Sequence, residues 1–135
     1  MNNEKFIESI EKNIQIINNE FEKGNWTELY FQASLIEVTL KYILILELKE
    51  REKYDSDIER YIDNLGLFNL IKNCFVLGII GKEIHKKLEK YRKYRNNLVH
   101  KMFLSLKNLE ELNIKEMNNL GKEIITNLIS IIKIL

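Results

Sequence analysis

An arginine and a histidine stand close together late in the chain, in the segment Arg95-Asn96-Asn97-Leu98-Val99-His100. Histidine is the side chain whose ordinary pKa best suits proton transfer near neutral pH. Arginine carries the planar, permanently charged group that best holds a phosphate or the charge that develops on one. The two residue types together indicate proton transfer beside a bound phosphate group.

The spacing of the pair limits how it can act. On a helix, Asn96 precedes His100 by one turn and shares its face. Arg95 lies about 140° around the helix axis from His100, so the two side chains do not stack within one chain. They can meet through a bent arginine side chain, through a helix end near His100, or in a symmetric dimer that places two Arg–His sets around one cleft.

Basic residues surround this motif. Between Lys82 and Lys101 there are eight lysines and arginines against two glutamates, whereas the formal net charge of the whole chain is only +1. Such a helix can bind RNA phosphates or can simply be solvated, and the sequence favours neither interpretation. The candidate RNA contacts nearest the motif are Lys90, Arg92, Lys93 and Lys101.

Other side chains near the motif are better explained by packing. Tyr91 and Tyr94 could stack on bases, but their helical spacing favours the core. His85 is expected to be a surface or packing residue. On the second helix, Glu37 can pair with Lys41 one turn away or, as the less favoured alternative, hold an arginine of the motif.

The remaining sequence offers little for other chemistries. The single cysteine, Cys74, lies in an apolar stretch and is expected to be a buried core residue that forms no disulfide within the chain. Two histidines and one cysteine, without carboxylates at ligand spacing, make a poor metal site. Gly78-Ile79-Ile80-Gly81 lacks the lysine and the spacing of a phosphate-binding loop. The sequence therefore predicts neither a metal site nor a cofactor.

The elements that position the motif are predicted to be helices, because the chain has no proline and only five glycines. Apolar stripes at steps of three and four predict a first helix over about 4–22, ended by Gly24-Asn25, and a second over about 26–53. A short helix closed by Gly66 and a short apolar segment over 67–77 follow. The motif helix begins near Lys82 and reaches about Leu106, and a last helix begins at Asn113, with Glu116 at the capping-box position. We expect an all-α, four-helix up-and-down bundle with one or two additional short helices, forming a single domain over residues 1–135.

The second helix carries two apolar stripes. One comprises Leu29, Ala33, Ile36, Leu40 and Ile43, and the other comprises Phe31, Leu35, Val38, Tyr42 and Ile45. A helix that is apolar over much of its circumference lies at the centre of a bundle, or covers both its own core and a partner chain. This pattern motivates the expectation of a homodimer.

The sequence predicts a soluble, cytoplasmic protein without membrane association. No apolar signal-peptide region follows the charged residues Glu4 and Lys5. Uninterrupted apolar runs such as residues 42–46 fall short of the roughly 20 residues that a membrane span needs.

The motif segment resembles the hallmark of the HEPN superfamily, in which an arginine, commonly followed by a polar residue, precedes a histidine by a few positions. Here four residues separate Arg95 from His100, and Asn96 occupies the polar position. The resemblance extends over nearly the whole chain in architecture, with a long apolar helix before the motif and an amphipathic helix after it. In motif it covers residues 91–102.

The resemblance implies a metal-independent endoribonuclease that acts as a dimer, of the kind found in toxin–antitoxin pairs, phage defence and RNA processing. Arg95 and His100 would be catalytic and Asn96 would support them, with the ribose 2′-OH attacking the adjacent phosphate. The alternatives are a non-catalytic HEPN module that binds RNA or a nucleotide, and a helical protein-interaction domain.

One position departs from the family pattern. HEPN toxins that are paired with a nucleotidyltransferase antitoxin often carry a tyrosine two residues after the histidine, and that tyrosine is modified. Here the position is Met102. An antitoxin partner is possible, but regulation through that modification is not expected.

Overall fold

The computed structural model describes residues 2–23, 28–104 and 114–135, with the side chains of residues 28 and 99–104 left out of the description. Six helices are found in this part of the chain, and no strand. They are α1 (Asn3–Glu22), α2 (Glu28–Glu50), α3 (Ser56–Asp63), α4 (Leu67–Val76), α5 (Lys82–Leu104) and α6 (Ile114–Ile134). The prediction of an all-α helical bundle with additional short helices is confirmed.

Helix α2 is the central element of the bundle. It packs against α1, α4 and α6, while α5 packs against α4 and α6. The first predicted stripe of α2 is buried along its whole length, from Leu29 to Ile43. Burying each large aliphatic side chain contributes about 1.5–3 kcal/mol, so this helix supplies much of the driving force for the fold.

The second stripe of α2 is only partly covered. Tyr42 stacks on Phe6 of α1, with ring centroids 3.7 Å apart. Leu35 is half-buried, whereas Phe31 and Val38 are 61% and 51% exposed. Helix α1 therefore covers part of this stripe, whereas Phe31 and Val38 of α2 face solvent.

The apolar character of α2 also meets a criterion for membrane spans. By length and composition alone, the stretch Leu29–Glu50 is long and apolar enough to cross a membrane. In the bundle, 44% of its most apolar window is buried against other helices. A core helix passes the same criterion, so the observation is weak evidence for a span.

The segment between α2 and α5 differs in detail from the prediction. Helix α2 ends at Glu50, and Glu52 adopts a left-handed φ of 57° in the turn that follows. Asp55 caps α3 by accepting a hydrogen bond of 2.9 Å from the Ile58 amide. Gly66 does not close α3, which ends at Asp63; instead it is the N-cap of α4.

Two further expectations can be compared with the described residues. Lys41 donates to the carbonyl oxygen of Asp63 at 3.3 Å, and among the described side chains Glu37 forms an ion pair with neither Lys41 nor an arginine. Gly78 adopts a left-handed φ of 75° in the turn before α5. The predicted helix boundaries at Gly24-Asn25 and residue 26 and the predicted cap at residue 113 lie outside the described residues.

A chain of buried hydrogen bonds joins three helices. The Tyr91 hydroxyl of α5 donates to Gln32 Oε1 of α2 at 2.8 Å. Gln32 Nε2 in turn donates to the carbonyl and side-chain oxygens of Asn118 on α6, each at 3.1 Å. The Gln32 amide lies directly over Gly121, where an added Cβ would come within 2.1 Å of Oε1. This glycine is therefore required by the close approach of a buried side chain.

Gly121→Ala should lower the free energy of unfolding by up to about 2 kcal/mol. The new methyl group must displace the Gln32 amide and break buried hydrogen bonds, which costs about 1–3 kcal/mol and outweighs the roughly 1 kcal/mol that alanine gains in a helix. Urea denaturation of the two proteins measures the difference.

The matched control is the same substitution in a Gln32→Ala background. With the amide removed, Gly121→Ala should become neutral or stabilising, because only the helix propensity of alanine is left. Equal effects of Gly121→Ala in both backgrounds would contradict the packing of Gln32 over this glycine.

Candidate nucleic-acid interface

The motif residues lie on one continuous helix. Arg95, Asn96 and His100 all belong to α5, which continues to Leu104. Arg95 is half-buried and Asn96 is exposed, whereas the side chain of His100 is outside the described residues. The idea that a helix end near His100 brings it towards Arg95 is wrong, because the helix continues past that position.

The rotation of α5 determines where each motif position faces. Tyr91 and Leu98 are buried and mark the side of the helix that faces the core. At 3.6 residues per turn, position 95 lies about 40° from position 91 around the axis, and position 100 lies about 180° from it. Arg95 therefore stands at the edge of the core-facing side, and His100 occupies a backbone position on the opposite side. A bent arginine and a dimer are the two arrangements left to unite them.

Arg95 follows Tyr91 by about one turn of α5, and its charge acts on the buried Tyr91 phenol. Burial raises the pKa of the Tyr91 phenol, and the positive charge of Arg95 acts in the opposite direction. Tyr91 thus stays protonated and donates to Gln32. Arg95 forms no ion pair with the described side chains, so its charge is not neutralised by them. An arginine in this state can accept an anionic ligand.

The basic residues of α5 that face α6 are neutralised by ion pairs. Lys87 Nζ lies 2.8 Å from Glu123 Oε1 and 3.8 Å from Glu83 Oε1. Lys90 Nζ lies 3.2 Å from Glu116 Oε1. On this side of the helix the positive charge predicted from the sequence is therefore balanced by carboxylates, two of which belong to α6.

On the side that faces α4, one carboxylate serves two cations. Glu89 Oε2 lies 3.0 Å from Arg92 Nη2, and Glu89 Oε1 lies 3.6 Å from Lys72 Nζ. Burial by itself would raise the pKa of Glu89, but its hydrogen bond to Arg92 and the charges of Arg92, Lys72 and His85 lower it. The carboxylate is therefore ionised, and this side keeps an excess of positive charge.

Three lysines on α5 are exposed and form no ion pair with any side chain that the structure describes: Lys82, Lys86 and Lys93. Helix geometry places all three within about 40° of position 100 around the axis. Of the RNA contacts predicted from the sequence, Lys93 is thus free to bind phosphate, and Lys90 and Arg92 are engaged in ion pairs. The side chain of Lys101 is outside the described residues.

Two aromatic side chains near the motif are held by packing, as predicted. Tyr94 is half-buried against the core, and Lys90 Nζ lies 5.8 Å from the centre of its ring. His85 stacks on Phe75 with ring centroids 4.2 Å apart, and its Nε2 lies 3.0 Å from Lys72 Nζ.

Among the described residues, neither Cys74 nor a cluster of metal ligands forms a second reactive site. Cys74 is fully buried, as predicted, and burial raises the pKa of its thiol to about 12, so it stays protonated at neutral pH. Within the described ranges no group of three or more histidine, cysteine, aspartate or glutamate side chains is placed to hold a metal ion.

An apolar groove lies elsewhere on the molecule. It has a volume of about 490 Å³, and its described lining belongs to α1 and α2, with Ile16, Phe31 and Val38 among its exposed walls. None of these lining residues is on α5. The groove and the motif are therefore built from different helices.

Sequence reasoning missed the partners that hold α5 in place. Gln32 is a buried polar residue of α2, as is Thr39 two turns later, and Gly121 interrupts an amphipathic helix. Gln32 and Gly121 are both signals of a close approach in the core. Sequence alone did not connect Gln32 with Tyr91 and Asn118, because these hydrogen bonds join residues 59 and 86 positions apart.

Comparisons with protein-family models, with curated proteins and with solved structures each find no match for this chain. The HEPN resemblance therefore stays a prediction that rests on the motif and on the order of the helices.

We expect Lys93→Gln to weaken the binding of single-stranded RNA more than Lys90→Gln, although both variants remove one positive charge. Lys93 is not engaged by a described carboxylate, whereas Lys90 is paired with Glu116. Losing one phosphate contact should reduce the slope of log affinity against log salt by about 0.7 for Lys93→Gln. Fluorescence anisotropy over a salt series measures this slope, and an equal or larger effect of Lys90→Gln would contradict the assignment.

Proposed function

We propose that this chain is a HEPN-type, metal-independent endoribonuclease that acts as a cytoplasmic homodimer. The observation that carries the proposal is the placement of the motif on α5. Position 100 lies on the same face of α5 as the exposed lysines Lys82, Lys86 and Lys93, and this face is called the exposed strip. Arg95 stands at the edge of the core-facing side without a described ion-pair partner. An RNA strand lying on this strip would find cations for its phosphates and a histidine for proton transfer.

The reaction is attack of a ribose 2′-OH on the adjacent phosphorus. A bond forms between O2′ and phosphorus while the bond from phosphorus to O5′ breaks, and the proton of the 2′-OH passes through His100 to the departing O5′. Arg95 stabilises the charge that develops on the phosphoryl oxygens, and Asn96 supports the position of the pair. The products are a 2′,3′-cyclic phosphate and a 5′-OH. The need for a 2′-OH confines the reaction to RNA.

The proposal assigns Arg95 of one copy and His100 of the other to the same site. The angle of about 140° between the two positions on an uninterrupted helix disfavours a site within one chain. A two-fold axis close to α5 brings position 100, on the exposed strip of one copy, next to Arg95 of the other copy. The symmetry creates two equivalent sites. The proposed cellular setting is that of a toxin or phage-defence nuclease, for which arrest of growth on expression is the expected sign.

The charge distribution on α5 favours one second candidate, a module that binds RNA without cleaving it. The exposed strip, with Lys82, Lys86 and Lys93, suits RNA binding without cleavage equally well. So do Lys72 and Arg92 next to α4, because they share the single carboxylate of Glu89 and keep a net positive charge. The two candidates differ only in whether His100 transfers a proton.

Purified wild-type protein should cleave single-stranded RNA in the presence of EDTA, and both His100→Ala and Arg95→Ala should lose at least about 100-fold in rate. The matched control is His85→Gln, because His85 is the other histidine of α5 and is held by packing. Its cleavage rate should stay near that of wild type. The assay follows a labelled RNA by gel and identifies the product ends.

If RNA stays intact after incubation with folded wild-type protein, the proposed enzyme is wrong, and of the two candidate functions only the RNA-binding module remains. Cleavage that persists in both His100→Ala and Arg95→Ala would place the activity at another site or in a contaminant, and the assignment of the motif would be wrong.

A further inference from the structure

Phe68, near the start of α4, is an exposed aromatic side chain with cations around it. The residue is 47% exposed, although its neighbours Leu67, Leu70 and Ile71 are buried in the core. Lys72 Nζ lies 5.4 Å from the centre of the ring and Arg92 Cζ lies 5.0 Å from it. Cations attracted to the electron-rich ring hold its position, while almost half of the residue stays open to solvent.

The surroundings of Phe68 carry an excess of positive charge. Glu89 is the carboxylate that pairs with both Lys72 and Arg92, so one negative charge balances two positive ones. The same helix as Arg92 also carries Lys82, Lys86 and Lys93, which form no ion pair with the described side chains. The exposed aromatics Phe31 and Tyr61 differ from Phe68 in that no cation lies over either ring among the described residues.

Phe68 also lies next to the motif. Arg92, which contacts its ring, precedes Arg95 by three residues, which is about 4.5 Å along the helix axis. A strand that reaches Arg95 therefore passes close to Phe68 if it follows α5 towards α4.

We propose that Phe68 is a base-stacking subsite for single-stranded RNA, in which Lys72 and Arg92 hold the ring and the one positive charge of this pair that Glu89 leaves unbalanced attracts the flanking phosphates. Stacking of a base on an exposed aromatic ring inside a basic surface is the usual physical basis of single-strand binding, and it tolerates any sequence because every base has a flat face. An acidic peptide would satisfy the cations but would leave the ring without a planar partner. The inference deepens the proposed function, because it names where the substrate strand binds, and it rests on RNA being the ligand.

The test measures binding of a labelled 2′-O-methyl oligouridine, which has no 2′-OH and cannot be cleaved, to wild type and to Phe68→Leu. The affinity of Phe68→Leu should fall by roughly fivefold to a hundredfold, the range for loss of one stacked base. The matched control is Phe31→Leu, which removes a similarly exposed ring from α2 and should bind like wild type. Phe68→Tyr keeps the ring and should keep the affinity.

An abasic oligonucleotide of the same length separates stacking from charge. It presents phosphates without bases, so Phe68→Leu should bind it as well as wild type does. Equal weakening for the abasic strand and the oligouridine would overturn the stacking subsite. So would oligouridine binding that is the same in Phe68→Leu, Phe31→Leu and wild type.

A second measurement uses wild-type protein alone and does not depend on the folding of a variant. Photocrosslinking with 5-iodouridine in the same oligonucleotide should label the peptide that contains Phe68, and labelling confined to other peptides would overturn the proposal. The binding and crosslinking results do not depend on whether the protein cleaves RNA. A protein that binds through Phe68 but does not cleave RNA keeps the subsite and loses the proposed enzyme, and a protein that cleaves RNA without using Phe68 does the opposite.

Discussion

The hydrogen bond from Tyr91 to Gln32 is the interaction on which the placement of the motif depends. Apolar packing holds α5 against α4 and α6, but it is non-directional and does not by itself fix how the helix is rotated about its axis. The bond of 2.8 Å, continued from Gln32 to Asn118, is directional and buried, so rotating α5 would leave polar groups unsatisfied in the core. With Tyr91 fixed, Arg95 must stand at the edge of the core-facing side and position 100 must lie opposite.

The rotation of α5 about its axis also determines which of its charged side chains face α6 and which face α4 or solvent. Towards α6, Lys87 is paired with Glu123 and Lys90 with Glu116, so these two positive charges are neutralised. Towards solvent and α4, the lysines are unpaired by described side chains or share the single carboxylate of Glu89. A chain with almost no net charge can thus present a basic surface, in which Glu89 is the one carboxylate paired with Lys72 and Arg92 among the described side chains. The apolar groove between α1 and α2 is built from other helices, and its neutral lining suits a different type of contact from that of the basic surface.

The sequence predicts the local features of this protein well and the long-range ones poorly. Apolar periodicity is enough to find the helices, to bury the first stripe of α2 and to place Tyr91 and Cys74 in the core. The sequence pattern misassigns Gly66 because a glycine three residues after one helix is also the residue before the next, and local pattern does not separate a C-terminal stop from an N-cap. The neutralisation of Lys90 by Glu116 and the link from Gln32 to Asn118 depend on which helices become neighbours, and periodicity carries no such information. Phe68 was missed for a related reason, since its cations come partly from α5.

The central claim is that Arg95 of one copy and His100 of the other form one site, and subunit mixing tests it most directly. Arg95→Ala and His100→Ala chains, each inactive alone, are unfolded, mixed in equal amounts and refolded together, and cleavage of RNA is measured. Half of the resulting dimers are mixed, and each of these has one intact site out of two, so the account predicts about one quarter of wild-type activity. No recovery of activity, in a sample shown to contain mixed dimers, would contradict the shared site.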